Sequence, residues 1–152
     1  MSVAAGFRLQ PVLEVAQRHL DVATTELQKL AARRREADTK LHQLEGFLTE
    51  YRASLQQDLA QGIESDRLRD FRAFLDKLEQ AIALQGAEAL RCRQAWEAAH
   101  RRWLELRARQ EALSVLRGRH LAAERTREAR GEQKRQDELA LRERKDGPLD
   151  RS

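Results

Sequence analysis

Four histidines and one cysteine are the side chains of this 152-residue chain best suited to metal or nucleophile chemistry. His19, His42, His100 and His120 are scattered, and no two stand at the i, i+4 spacing that puts both imidazoles on one helix face. No cysteine cluster accompanies them. Cys92, being single, has no partner for an internal disulfide and fits a reducing compartment. Gly62 stands without the glycine-rich spacing and the lysine that cradle a nucleotide phosphate. Carboxylates abound, but general acid–base work needs a cleft to shift their pKa. The expectation is a chain with no catalytic residue, no metal and no cofactor.

Recognition chemistry is better represented. Phe47 and Phe74 lie beside, rather than on, the apolar rows described next, and Tyr51 lies at their edge. Such a cluster either broadens a local core or forms a docking patch, because monomeric proteins seldom display grouped aromatics without a partner.

Two rows of apolar residues must position these groups. Leu13, Leu20, Leu27, Leu41, Leu48 and Leu55 recur every seven residues, with Ala16, Ala23, Leu30, Ala37, Leu44 and Tyr51 three positions on. The pattern restarts with Leu68, Leu75, Ile82, Ala89, Trp96 and Trp103, accompanied by Phe71, Leu78, Cys92, Ala99, Leu106 and Leu113. Sustained heptads predict supercoiled helices rather than a globular core. Between the arms, Gly62 supplies a left-handed cap, and Ser65 with Asp66 supplies an N-cap and a first-turn acid. The predicted fold is all-α: a long antiparallel two-helix coiled coil, turning at about Gly62–Ser65.

The turn fixes the register, with facing positions summing to about 126 in an antiparallel pair. Leu55 then meets Phe71, Leu48 meets Leu78, Tyr51 meets Leu75, and Leu13 meets Leu113. Ala23 falls opposite Trp103, and Ala99 opposite Leu27, so small residues give room to large ones. Arg34 faces Cys92 in a weaker middle, its long stem able to carry the charge out of the seam. Both tryptophans read as core.

Boundaries follow from the same signals. Helix one is predicted over about residues 10–60, opened by Pro11 in its first turn, and helix two over about 66–145. Helix one runs out opposite about residue 115, so helix two overhangs from about 117. That overhang is about half charged but rich in helix formers, and reads either as a frayed tail or as a rod that something surrounds. Residues 1–145 make one hairpin in this reading, with a disordered tail over 146–152.

Charged residues make up 36% and aromatics 5%, which suits a coiled coil with most positions in water. The formal charge of +4 comes with dense charges of both signs, so a solvated surface is a simpler reading than a nucleic-acid stripe. No stretch has the apolar length of a membrane span, and the start lacks the features of a secretory signal.

Three ordered elements are not heptad filler: Glu50-Tyr51-Arg52-Ala53-Ser54-Leu55, Gly62-Ile63-Glu64-Ser65-Asp66-Arg67, and the run Phe74-Leu75-Asp76-Lys77-Leu78-Glu79-Gln80-Ala81-Ile82. They closely resemble the FliJ family of the bacterial flagellar type III export apparatus, as do the opening Phe7–Leu13 and Trp103. The resemblance implies a non-enzymatic coiled coil similar to the rotor stalk of rotary ATPases. It implies cytoplasmic location at the inner face of the inner membrane, without insertion. The implied partners are the hexameric export ATPase and its regulator, the large transmembrane export-gate protein, and export chaperones, with no nucleic acid. The family's gate-binding surface matches Leu44, Phe47, Tyr51, Phe74, Leu78 and Ala81, while two further positions of that surface fall at Lys40 and Gln85, which show no clear match. With the overhang standing in an ATPase ring, Arg125, Arg127 and Arg130 are expected to meet its acidic loops. The alternatives are the equivalent stalk of a virulence secretion system and a basic coiled-coil nucleic-acid binder.

Overall fold

A computed structural model describes residues 6–147. Two helices, α1 (Gln10–Gln61) and α2 (Ser65–Asp146), pack against each other as an antiparallel hairpin, with no strand among the described residues. The predicted fold class is the one observed, including the turn and the longer second helix. Residues 1–5, ahead of the first helix, and residues 148–152 of the expected tail lie outside the described residues.

The ends of the helices are set by local chemistry. At the start of α1 the Gln10 amide donates to the Phe7 carbonyl (3.0 Å) and the Leu13 amide to that of Leu9 (2.8 Å). Pro11 sits in the first turn, where a missing N–H leaves nothing unpaired. At the other end Gly62 takes φ 93°, a left-handed conformation that L side chains rarely adopt. The start of α2 corrects the expected cap by one residue: the Leu68 amide donates to the Glu64 carbonyl at 2.9 Å, and Ser65 is already helical. Glu64 is therefore the half-in residue, and Asp66 remains a first-turn acid held by Arg69 at 3.0 Å.

The chain divides into two compact units, Leu20–Leu106 and Met1–His19 with Arg107–Ser152. In Leu20–Leu106 burial follows the heptads: Ala37, Leu75, Leu78, Ala89 and Leu106 are buried, while Leu27, Leu30, Leu41, Leu44, Leu48 and Leu55 are half-buried. Two helices give each seam residue a neighbour on one side only, so large side chains keep an edge in water. Where alanines line the seam, the Gln85 side-chain amide crosses to the Ala37 carbonyl at 3.1 Å.

The tryptophans expected as core are only half-buried, because their rings exceed the width of the seam. Their outer faces are covered instead by polar groups. His100 stacks on Trp96 (4.8 Å between centroids, 8° between planes) and lies 6.1 Å from Trp103. The Arg34 guanidinium sits 4.9 Å from the Trp96 ring centroid, so the seam arginine finds a cation–π partner.

In the other unit Leu13, Ala16 and Leu113 form a buried cluster. The Phe7 ring packs 5.7 Å from the His120 ring, and the His120 Nε2 lies 3.1 Å from the Glu124 carboxylate. Beyond Glu124, every helical residue of α2 except Gly131 is exposed, up to Asp146. The overhang is held as helix by its own backbone and by short-range pairs such as Arg135–Glu132 at 2.9 Å.

Candidate docking surfaces

The flank of the hairpin near the turn combines three exposed aromatic rings. Phe47 is 50% exposed, Tyr51 41% and Phe74 43%. Phe47 and Phe74 each precede a seam residue, Leu48 and Leu75, and so project to one side of the seam in both helices. Tyr51 departs from its expected place facing Leu75 within the seam. Its ring leans outward over α2, 4.7 Å from Phe74 and 6.2 Å from Phe71 in an edge-on contact. The phenol needs water or a partner for its hydroxyl, and a seam between two helices offers neither.

Tyr51 separates two depressions. One, of about 230 Å³, is lined by Tyr51, Arg67, Asp70, Phe71 and Phe74. The other, of about 210 Å³, is lined by Phe47, Glu50, Tyr51 and Ser54. The first is almost wholly apolar, a form suited to taking an apolar side chain from a protein partner, whereas the second is more polar.

The remaining residues expected in this surface sit lower. Leu44 and Ala81 are half-buried, and Leu78 is buried at 8% exposure. Leu78 therefore supports the rings from below. Two contributors were not legible from the pattern. Phe71, read as a seam residue, shows enough ring edge to line the first depression. Leu84, off both rows, is 74% exposed one turn beyond Ala81. The opposite flank is polar, closed by Arg52–Glu79 at 2.7 Å and Arg93–Asp38 at 3.9 Å.

On the overhang, Arg125, Arg127 and Arg130 are exposed and form no ion pair among the described residues. The helix separates them: Arg127 and Arg130, three apart, share a face that Lys134 extends, whereas Arg125 points elsewhere.

A third depression, of about 170 Å³, is lined by Arg33, Glu36, Lys40, Gln85, Glu88 and Cys92 around Ala37. Burial and the neighbouring Glu88 push the Cys92 thiol above its ordinary pKa, and the Sγ donates to the Glu88 carboxylate at 3.5 Å. Hydrogen bonds from Arg91 and then Cys92 hold Glu88 below the usual carboxylate range. A thiol so placed is a poor nucleophile. Among the described residues no three His, Cys, Asp or Glu side chains gather as metal ligands, and no helix is long and apolar enough to cross a membrane.

Residues 5–145 match the family model described as "Flagellar FliJ protein". The chain belongs to the FliJ family. The "Flagellar FliJ protein" of Salmonella typhi is 30% identical over 134 residues, covering 88% of this chain and 91% of its own. That of Escherichia coli (strain K12) is 28% identical with the same coverage. No solved structure gives a significant match. The FliJ-family match takes in the aromatic flank, the turn and the overhang alike, and supports a place in the flagellar export apparatus.

Proposed function

We propose that the chain is a non-enzymatic, stalk-like coupling factor of flagellar protein export. The observation that carries this reading is the overhang: α2 continues as a helix to Asp146, exposed from Arg125 onward except at Gly131. A lone charged helix gains little by folding for its own sake, since isolated helices in water are marginal. It suits an element that works inside a surrounding partner, and a hexameric export ATPase supplies one. Mixed charge serves such a contact, giving complementarity without deep, permanent burial.

The aromatic flank serves the second contact. Phe47, Tyr51 and Phe74, with Leu44, Leu78 and Ala81 beneath and beside them, form the surface for the large transmembrane export-gate protein. The chain thereby connects ATPase and gate at the cytoplasmic face of the membrane, and it also engages the ATPase regulator and emptied export chaperones.

The test is ATP hydrolysis by the cognate export ATPase, with the full chain and with a version ending at Leu116. Stimulation by the full chain, lost on truncation, supports the stalk reading. Stimulation by neither, under conditions where the ATPase forms rings, overturns it. Reversing Arg125, Arg127 and Arg130 to Glu should likewise abolish stimulation with helicity unchanged.

A further inference from the structure

The paired end of the hairpin carries a second apolar surface, distinct from the aromatic flank and from the overhang. Leu9, Val12 and Val15 of α1 and its lead-in are exposed, as are Val115 and Leu116 of α2. Val12 directly precedes the buried Leu13, and Leu116 lies one turn beyond the buried Leu113, so both border the same Leu13–Ala16–Leu113 cluster. With Val15 one turn further, they share one flank of the helix pair, along the shallow groove that two packed helices leave between them.

The charges around this groove are one-sided. Of the chain's 29 basic and 25 acidic side chains, six and two lie within residues 6–19 and 107–123. The whole formal excess of +4 is therefore concentrated here, and the rest of the sequence balances. The two acids are already engaged on other faces, Glu14 by Gln10 at 3.4 Å and Glu111 by Arg107 at 3.1 Å. Arg8, Arg109 and Arg119 stand exposed beside the groove and make no ion pair among the described residues. All six cations are arginines, whose planar fork donates two parallel hydrogen bonds to a carboxylate.

We propose that this groove docks an acidic amphipathic helix of a protein partner. Its apolar stripe would lie on Val12, Val15 and Leu116, and its flanking carboxylates would reach Arg8, Arg109 and Arg119. A membrane surface fits less well. Leu9, Val12 and Val15 are partly covered by the helix pair, too shallow to insert, and the groove has no exposed aromatic belt. This surface takes nothing from the tip flank and only Arg119 from the foot of the overhang, so its binding is measured apart from the proposed stalk function.

The experiment uses the full chain and a fluorescein-labelled synthetic helix with leucines at i, i+3, i+4 and i+7 and glutamates on both flanks. Fluorescence anisotropy should show saturable binding that weakens with salt. The same peptide with lysines for glutamates should not bind. Two variant pairs, Val12→Asp with Leu116→Asp and Arg109→Glu with Arg119→Glu, should each weaken binding at least about tenfold. Circular dichroism checks that each pair retains its helices, and the second remains informative where the first unfolds. Phe47→Ser with Phe74→Ser should leave the affinity unchanged. Absent saturable binding, equal binding of the lysine peptide, or insensitivity to the folded groove variants overturns the proposal. So does tighter binding to phosphatidylglycerol vesicles through the same residues, which would make the groove a lipid site.

Discussion

The indole nitrogen of Trp103 donates a hydrogen bond to the Thr24 hydroxyl at 2.9 Å, joining residues 79 apart in sequence. The hydroxyl is oriented for this, because its own hydrogen goes to the Leu20 carbonyl at 2.8 Å. Facing Ala23 gives the ring its room, and the neighbouring threonine fixes its direction.

Thr24→Val keeps the shape but removes this acceptor from a partly buried donor. The expected cost is about 1–2 kcal/mol in urea denaturation. Tryptophan emission should shift with it, and a variant as stable as the parent would show that water replaces the hydroxyl.

The aromatic flank and the layer beneath it should separate binding from stability. Phe47→Ser and Phe74→Ser should leave the denaturation midpoint nearly unchanged while weakening capture of the soluble part of the export gate. Leu78→Ala removes a buried side chain and should cost about 2–4 kcal/mol. Equal stability loss at all three would mean that the exposed rings are structural.

Gly62 is strained by any side chain through its backbone alone, since a Cβ there meets nothing within 4 Å. Gly62→Ala should destabilise the hairpin by about 1 kcal/mol, the cost of a left-handed conformation for an L residue. Gly62→Asn should cost less, and an unchanged midpoint for Ala would mean that the turn readjusts.

Cys92 titrates upward, so at pH 8 less of it is thiolate than in a free cysteine, and it should react more slowly with Ellman's reagent. The rate should climb as pH rises through the elevated pKa. Glu88→Gln removes an anion that disfavours the thiolate and should accelerate the reaction at fixed pH; a slower one would contradict the assignment of cause.

The fold was legible because seven-residue spacing and a single turn leave few alternatives: Leu13, Leu20 and Leu27 on one arm and Leu106 and Leu113 on the other define both helices and their direction. The finer departures come from side-chain size and chemistry that periodicity ignores. Tyr51 occupies a seam position but is drawn outward by its hydroxyl and by Phe71 and Phe74. Trp96 is too large for its layer and recruits His100 and Arg34, which composition alone made into a stray histidine and a seam polar residue. The aromatic flank was visible because Phe47 and Phe74 stood off the rows. The groove at the paired end was not, because Val12 and Leu116 look like ordinary surface residues until the register brings them to one side.

Only Gly62, Ile63 and Glu64 separate the two helices. So short a connection makes the first contacts across the hairpin local, and each later layer then closes a loop already shortened by the one before. Folding should therefore zip from the turn outward. Weakening Leu75 or Leu78 should slow refolding, whereas weakening Leu106, in a layer formed late, should mainly speed unfolding.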